Sequence, residues 1–200
     1  AGGCGHKPSY GVVPQIGYID HVSYGVSDAD INVFGPLAKT VDDLELLFDV
    51  VSGARRDNQS SWQLNLPSAR GPAKGLRVAS WLDDADCPVS EPVANVLETA
   101  VSAIEADGVT VNRSARPDIA FNDVRSVGLP LISAATSPGR TEEELAALRQ
   151  AIEDPLSDES LRMRAASSTM SHRDWLLLTE QRDKNRQLWS KFFEGFDKKH

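Results

Sequence analysis

Two glycine- and proline-rich segments near the start of the chain constrain its fold more than any other feature of the sequence. The first reads GGCGHKPSYGVVP over residues 2–14, and the second reads DINVFGPLAKT over residues 30–40. Glycine permits positive φ and close approach to other groups, and proline restricts φ to a narrow range. We therefore predict rigid, irregular structure here rather than a helix or a flexible linker. Irregular segments held in this way often carry functional sites.

The same two segments resemble the amidase-signature family. Members of that family read C-G-x-x-G-x-K-P-(S/T)-x-G and then G-P-(M/L)-A-(R/K)-(S/T)-x-x-D-L. Both runs are present, as CGHKPSYGVVP and NVFGPLAKTVDDLELLFDVVSG, with a shortened approach to the Lys-Pro pair around Cys4, Gly5 and His6. The resemblance implies an α/β fold in which helices pack on a mixed β-sheet with at least one parallel strand pair. It also implies cleavage of carboxamide C–N bonds by water, giving a carboxylic acid and an amine or ammonia.

The family's catalytic triad, Ser-cisSer-Lys, cannot be assigned to any residue of this sequence. Members carry a Gly-Gly-Ser-Ser-Gly run, a bridging serine and a catalytic lysine upstream of the segments described above, and no Gly/Ser-rich substitute occurs later in the chain. We therefore expect residues 1–200 to form a single, incomplete domain of a longer amidase-like chain that is inactive alone. The alternative is a non-catalytic scaffold or interaction module derived from the same fold.

The resemblance also implies roles for seven residues, none of them catalytic. Those expected to line the substrate cleft of an intact enzyme are Tyr10, Gly11 and Tyr18. Those expected to support the segment beneath the active site are Asp30, Gly35, Pro36 and Lys39. No metal ligand and no cofactor are predicted.

Composition narrows the class of partner. Hydrophobic residues make up 40% of the chain, charged residues make up 25%, and the formal net charge is −8. Nucleic-acid affinity rests largely on Lys and Arg, so we expect no nucleic-acid partner. No apolar run approaches the ~20 residues of a membrane span, so we expect no membrane partner either. The expected partner is a small-molecule amide, together with self-association of the fragment through apolar surface left uncovered.

Two other motifs could indicate a catalytic or cation-binding site, but each lacks features that such a site requires. Cys4 and His6 lie two residues apart on an irregular segment, and a nucleophile and its base need hydrogen-bond reach and an orienting third group. We interpret them as a packed cysteine beside a turn histidine. Because Cys4 and Cys87 are the chain's two cysteines, free thiols in a reducing cytoplasm are expected. The second motif is an acidic turn that lacks the glycine and distal glutamate of an EF-hand loop, formed by Asp83, Asp84 and Asp86.

Hydrophobic periodicity and capping residues predict the regular elements. Helices are expected at 41–52, 91–107, from 141 through 152, and from 171 or 172 towards 196, with two helical pieces in 119–135. Strands at 76–81 and 109–111 flank the second helix, which predicts a βαβ unit with parallel strands. A short buried strand is expected at 32–37, a surface connection at 54–74, and a mobile or weakly helical segment at 154–170.

Burial of the first two helices is a separate expectation. Their apolar residues recur at spacings of three and four, which places Leu47 and Leu97 on the apolar faces. We expect both faces to be buried against one sheet that contains residues 76–81.

Overall fold

The computed structural model of the protein describes residues 2–17, 25–28, 30–67 and 73–197. They form a mixed α/β fold with a parallel strand pair, which confirms the predicted fold class. In chain order the elements are β1 (Cys4–Gly5), β2 (Leu37–Ala38), α1 (Val41–Val51), β3 (Arg77–Ala79), α2 (Glu91–Ala106), β4 (Thr110–Asn112), α3 (Phe121–Ala135), α4 (Glu142–Glu153), α5 (Glu159–Ser168) and α6 (His172–Phe192). Short 3-10 turns lie at Ser137–Gly139 and Phe193–Gly195. None of these helices is long and apolar enough to cross a membrane.

The chain groups into two compact units. Unit 1 contains Ala1–Pro67 and Ile132–Thr169, and therefore holds β1, β2, α1, α4 and α5. Unit 2 contains Ser68–Leu131 and Met170–Lys199, and holds β3, α2, β4, most of α3, and α6. The single incomplete domain and the surface connection at 54–74 stay predictions.

Side-chain caps fix where several helices begin. The Thr40 hydroxyl accepts a hydrogen bond from the Asp43 amide at 3.1 Å, which starts α1 where the sequence predicts. At α4, the amide of Glu144 donates to the Thr141 hydroxyl at 3.2 Å. The amide of Thr141 donates in return to the Glu144 carboxylate at 2.8 Å, which confirms the predicted capping box.

The βαβ unit is confirmed in unit 2. Strands β3 and β4 pair in parallel with Val78 opposite Val111, and α2 connects them. Gly108 ends the crossover with φ of 89°, a left-handed conformation that glycine adopts without steric cost. The Gly75 amide donates to the Gly108 carbonyl at 2.8 Å, which continues the contact beyond the strands.

The predicted burial of α1 and α2 is wrong. Neither helix has a buried residue, and Leu47 and Leu97 are 40% and 39% exposed. The two helices also contact different sheets, because α1 packs beside the antiparallel β1–β2 pair and α2 beside β4. Periodicity identifies an apolar face correctly, but it does not say whether that face is covered.

Three local predictions also differ from the structure. Residues 121–135 form one helix that includes Pro130 rather than two pieces, and its side chains Val127 and Leu131 are buried on either side of the proline. This burial offsets the lost amide donor, so tertiary packing overrides the proline signal. The segment at 154–170 contains α5, whose start is capped by the Asp158 carboxylate, 2.7 Å from the Leu161 amide. The buried strand predicted at 32–37 is wrong, because only Leu37 of that range enters a strand, β2, and its side chain is exposed.

We predict that leucine truncations separate the buried face of α3 from the exposed face of α2. Leu131 is fully buried, so Leu131→Ala is expected to lower the free energy of unfolding by about 2 to 5 kcal/mol. Leu97→Ala is the matched control and should cost roughly half as much or less, because the side chain is already partly hydrated. Urea unfolding midpoints measure both. Equal losses for the two variants would contradict this placement of the core.

Candidate functional site

The two glycine- and proline-rich segments lie side by side in unit 1. Strand β1 pairs with β2 in antiparallel register, with Cys4 opposite Ala38 and Gly5 opposite Leu37. The pairing continues for one residue, because the His6 amide donates to the Pro36 carbonyl at 3.2 Å. Segments about thirty residues apart in sequence therefore form one backbone-bonded structure.

Gly35 makes the closest approach between these segments. A β-carbon at this position would overlap the His6 carbonyl oxygen and would lie 2.9 Å from the His6 carbonyl carbon. It would also lie 3.0 Å from Cδ of Pro8, which is itself fully buried. Only glycine fits between these atoms, and Pro36 follows with the carbonyl that His6 uses.

The side chains of the first segment pack against α1 and β2 rather than against each other. The His6 ring meets the Phe48 ring edge to face with centroids 4.8 Å apart. The Cys4 thiol lies 4.0 Å from the Lys39 carbonyl oxygen. No hydrogen bond joins Cys4 to His6, so the geometry favours the packing interpretation over a thiol and base pair.

A pocket of about 180 Å³ opens beside the turn that follows Pro8. Its described lining residues are Tyr10, Gly11, Val13, Pro14, Gln15, Asp28, Ala54, Arg55, Asn58 and Trp62. Gly11 has φ of 81° in this turn, where the Val12 amide donates to the Ser9 carbonyl at 3.2 Å. The structure thus brings Tyr10 and Gly11 to one pocket, whereas Tyr18 lies outside the described residues.

Two of the lining residues, Arg55 and Asp28, belong to a group of ion-paired side chains at the wall of this pocket. Arg55 bonds Asp28 at 2.9 Å, and its Nε and a terminal nitrogen bond the two oxygens of Asp57 at 2.9 and 2.6 Å. The hydrogen bonds that the Arg55 guanidinium donates to the Asp57 and Asp28 carboxylates raise its pKa. The same contact lowers the pKa of the Asp57 carboxyl below its usual range. One guanidinium therefore pairs with two carboxylates, so the group keeps an excess of negative charge, and we name these three residues the Arg55 cluster.

Two further bonds hold the pocket wall in place. The Gly53 amide, just after α1, donates to the Val12 carbonyl at 2.9 Å. The Gln15 side chain is buried, and its amide donates to the Asn32 carbonyl at 2.7 Å. Because Asn32 adjoins Ile31, the Gln15 bond also braces a backbone in a sparsely populated conformation. Ile31 has φ of 71°, which is strained for a β-branched residue.

The remaining predicted support residues lie around these contacts. Asp30 is half-buried and adjoins Ile31, while Lys39 is exposed and follows β2 directly. Their bracing roles stay predictions. In the described part of the chain, no group of three or more His, Cys, Asp or Glu side chains is arranged to hold a metal ion, including the acidic turn at 83–86.

Sequence reasoning missed the Arg55 cluster and Gln15. Asp28 and Arg55 are 27 residues apart, and nothing in the polar stretch around either residue distinguishes them from solvated charges. Chemically, the pocket offers aromatic surface from Tyr10 and Trp62 beside amide and charged groups, which suits binding of a small polar molecule. No serine hydroxyl among the described residues is hydrogen-bonded to a lysine or histidine, as an activated nucleophile requires.

Comparison with known sequences matches the chain to a family model described as Amidase over residues 1–198. The chain is 27% identical over 121 residues to a glutamyl-tRNA(Gln) amidotransferase subunit from Thermosynechococcus vestitus, covering 58% of this chain and 24% of the relative. It is 30% identical over 117 residues to the corresponding subunit from Ligilactobacillus salivarius, covering 56% and 23%. The chain spans about a quarter of the length of these curated relatives.

Solved structures agree on the fold. A bacterial aryl acylamidase of the amidase signature family superposes with a TM-score of 0.61 at 17% identity, covering 96% of this chain and 39% of that one. A glutamyl-tRNA(Gln) amidotransferase subunit from Thermotoga maritima gives a TM-score of 0.59 at 16% identity, covering 98% and 40%. Identities this low establish the fold alone.

We predict that Gly35→Ala destabilises unit 1, because the added methyl group overlaps the His6 carbonyl and forces the two segments apart. The expected loss in the free energy of unfolding is about 1 to 3 kcal/mol. Gly128→Ala is the control, since nothing lies within 4 Å of the position its added methyl group would take and alanine favours helix α3. Denaturant midpoints and hydrogen exchange of the His6 amide measure the effect. A Gly35→Ala protein as stable as Gly128→Ala would rule out the close approach.

We also predict that Arg55→Gln raises the Asp57 pKa towards its ordinary value. A carboxyl with a depressed folded pKa contributes stability above its unfolded pKa and loses that contribution as the pH falls through the folded value. The variant should therefore lose less stability below about pH 4 than the parent does. Arg113→Gln is the matched control, because Arg113 lowers the pKa of Glu105 in the same way. Titration by NMR should show each variant shifting only its own partner, and a shift of both or neither would contradict the assignment.

Proposed function

This chain belongs to the Amidase family, and on that premise we propose that it is part of an enzyme that hydrolyses carboxamide C–N bonds. Family membership implies an amide hydrolase or an amidotransferase activity. The observation that carries the proposal is the family match over residues 1–198 together with the two family motifs, which pair backbone to backbone through β1 and β2. The substrate is a small-molecule amide, and neither nucleic acid nor a membrane is a partner.

In this proposal the chain supplies binding surface and support rather than the reacting groups. Tyr10, Gly11 and Tyr18 line the substrate cleft, and the pocket beside Tyr10 and Gly11 supports that role. The residues that brace the cleft are Asp30, Gly35, Pro36 and Lys39, and the tight fit of Gly35 against His6 supports the assignment.

The reacting groups come from polypeptide outside residues 1–200. A serine there attacks the amide carbonyl, a lysine moves its proton through a bridging serine, and backbone amides stabilise the oxyanion. Water then releases the acid from the acyl-enzyme, and the amine or ammonia has already left. The absence of a Gly-Gly-Ser-Ser-Gly run in the sequence, and the quarter length relative to curated relatives, support this division of roles.

A second candidate function is a non-catalytic module that uses the same fold to bind another protein. The curated relatives are named as subunits of an amidotransferase, which favours a chain that works in an assembly. Exposed apolar side chains on α1, including Val41, Leu46 and Val50, offer surface for such contacts or for self-association. Either function fits the cytoplasm, since both cysteines are free.

We predict that the 200-residue chain neither turns over aryl or alkyl amides nor reacts with a fluorophosphonate probe. Loss of a triad generally costs several powers of ten in rate, and here no residue can be assigned to any of its three members. A longer natural polypeptide that contains this chain, identified by sequencing upstream of the first codon, should react at one serine outside residues 1–200.

Ser9→Ala is the control in both proteins and should change nothing, because Ser9 has no hydrogen-bonded base among the described residues. Probe reaction at a single serine within the 200 residues would overturn the proposed division of roles. An in-frame start codon immediately before the Ala1 codon, with no upstream Gly-Gly-Ser-Ser-Gly run, would favour the module instead.

A further inference from the structure

Unit 2 contains a second pocket, of about 260 Å³, where the chain leaves the carboxyl end of β3. Its described lining residues are Trp81, Leu82, Asp83, Asp84, Cys87, Val89, Phe121, Val124 and Trp189. In open α/β sheets, ligands commonly bind outside the carboxyl ends of parallel strands. The β3–β4 pair places this pocket at such an end.

Aromatic rings in mutual contact form the walls of this pocket. The Trp81 ring lies 6.5 Å from Phe121 at 84° and 6.1 Å from Trp189 at 31°, measured between centroids. Trp189 is held from behind by Phe192 and Phe193, with centroids 5.9 and 5.7 Å away. Rings packed in this way move little, so the cavity is pre-formed. Its volume accommodates one small ring with a compact headgroup.

The charged side chains that line this pocket are both acidic, and one of them is paired with an arginine that lies outside the lining. Among the described lining residues, Asp83 and Asp84 are acidic and none is Lys or Arg. Asp83 is ion-paired with Arg116, whose guanidinium carbon also lies 5.3 Å from the Trp81 ring centroid. Arg116 therefore already holds a cation–π contact with Trp81 and offsets the charge of Asp83, which leaves Asp84 as the carboxylate for a ligand cation. The Asp84 carboxylate accepts a hydrogen bond from the Asp86 amide at 2.8 Å. It has no ion-pair partner in the described part of the chain.

We propose that this pocket binds a small organic cation, with its apolar body against the rings of Trp81, Phe121 and Trp189 and its positive group beside Asp84. The apolar walls favour a ligand with an apolar body, because binding removes that surface from water. The negative faces of the aromatic rings also attract a positive group. The unpaired carboxylate selects the sign of the headgroup, because an anion would be repelled and a neutral group gains no ionic contact. The proposal does not depend on the amidase activity, since it concerns equilibrium binding by unit 2 alone.

The pocket's own tryptophans provide the measurement. The chain has four tryptophans, so a Trp62→Phe/Trp175→Phe background leaves Trp81 and Trp189 as reporters. Both replaced residues lie outside this pocket. Three probes of similar shape are titrated into the 200-residue chain: benzyltrimethylammonium, benzyl alcohol and phenylacetate. The expected result is saturable quenching by the cation with a Kd of about 1 mM, and at least about fivefold weaker binding of the alcohol and the acid.

Two variants test separately the role of the Asp84 charge and the role of the cavity. Asp84→Asn keeps the acceptor for the Asp86 amide and removes the charge, so it should weaken cation binding about fivefold and leave the alcohol unchanged within about twofold. Asp118→Asn is the matched control, because Asp118 is an exposed carboxylate of unit 2 that does not line the pocket. Val124→Phe fills the cavity and should abolish binding of all three probes.

Some outcomes would overturn the proposal. Absence of saturable quenching by the cation would do so, as would equal affinity for cation, alcohol and acid. An Asp84→Asn protein with undiminished preference for the cation would refute the role of the carboxylate, and Val124→Phe with intact binding would place the probe elsewhere. Asp84 is half-buried and its Asn variant keeps the acceptor for the Asp86 amide, so this variant tests the proposal even where Val124→Phe disturbs folding, which far-ultraviolet circular dichroism detects.

Discussion

Backbone contact between two distant segments is the constraint on which unit 1 depends. Where Gly35 passes the His6 carbonyl there is no room for a side chain, and the antiparallel pair on one side and Pro8 on the other leave neither strand free to move away. This close approach restricts the sequence more than a hydrogen bond would, because glycine is the only residue type without a side chain that would overlap the His6 carbonyl. The turn with Gly11, and hence the pocket, inherits its position from this contact.

Another part of the pocket wall depends on the ion pairs of Arg55. Arg55 follows α1 closely, and the Gly53 amide fixes that end of the helix to Val12. The guanidinium lies in the segment just after this helix, where it bonds Asp28, which lines the pocket, and Asp57, which does not. Its contribution to stability is modest, since all three groups keep solvent contact. The cluster acts mainly by holding the wall in one arrangement.

Sequence patterns predicted the local part of this structure and little of the rest. Thr40 and the Thr141 capping box mark helix starts because a cap is a contact between neighbours in sequence. The βαβ unit followed for the same reason, from element order and length. Whether Leu47 is covered, whether a helix continues through Pro130, and whether Arg55 meets Asp28 depend on residues far along the chain. A single sequence has no local signal for those contacts.

Because Arg55 pairs with two carboxylates, the three residues of its cluster should differ in how well the protein tolerates their substitution. If either aspartate is replaced by a neutral residue, the guanidinium still pairs with the other aspartate. Loss of one carboxylate therefore leaves one ion pair in place. Replacement of the arginine leaves Asp28 and Asp57 as neighbouring negative charges with no cation between them. Natural variants of this chain should therefore vary at the two aspartates before they vary at the arginine, although all three residues share one set of bonds.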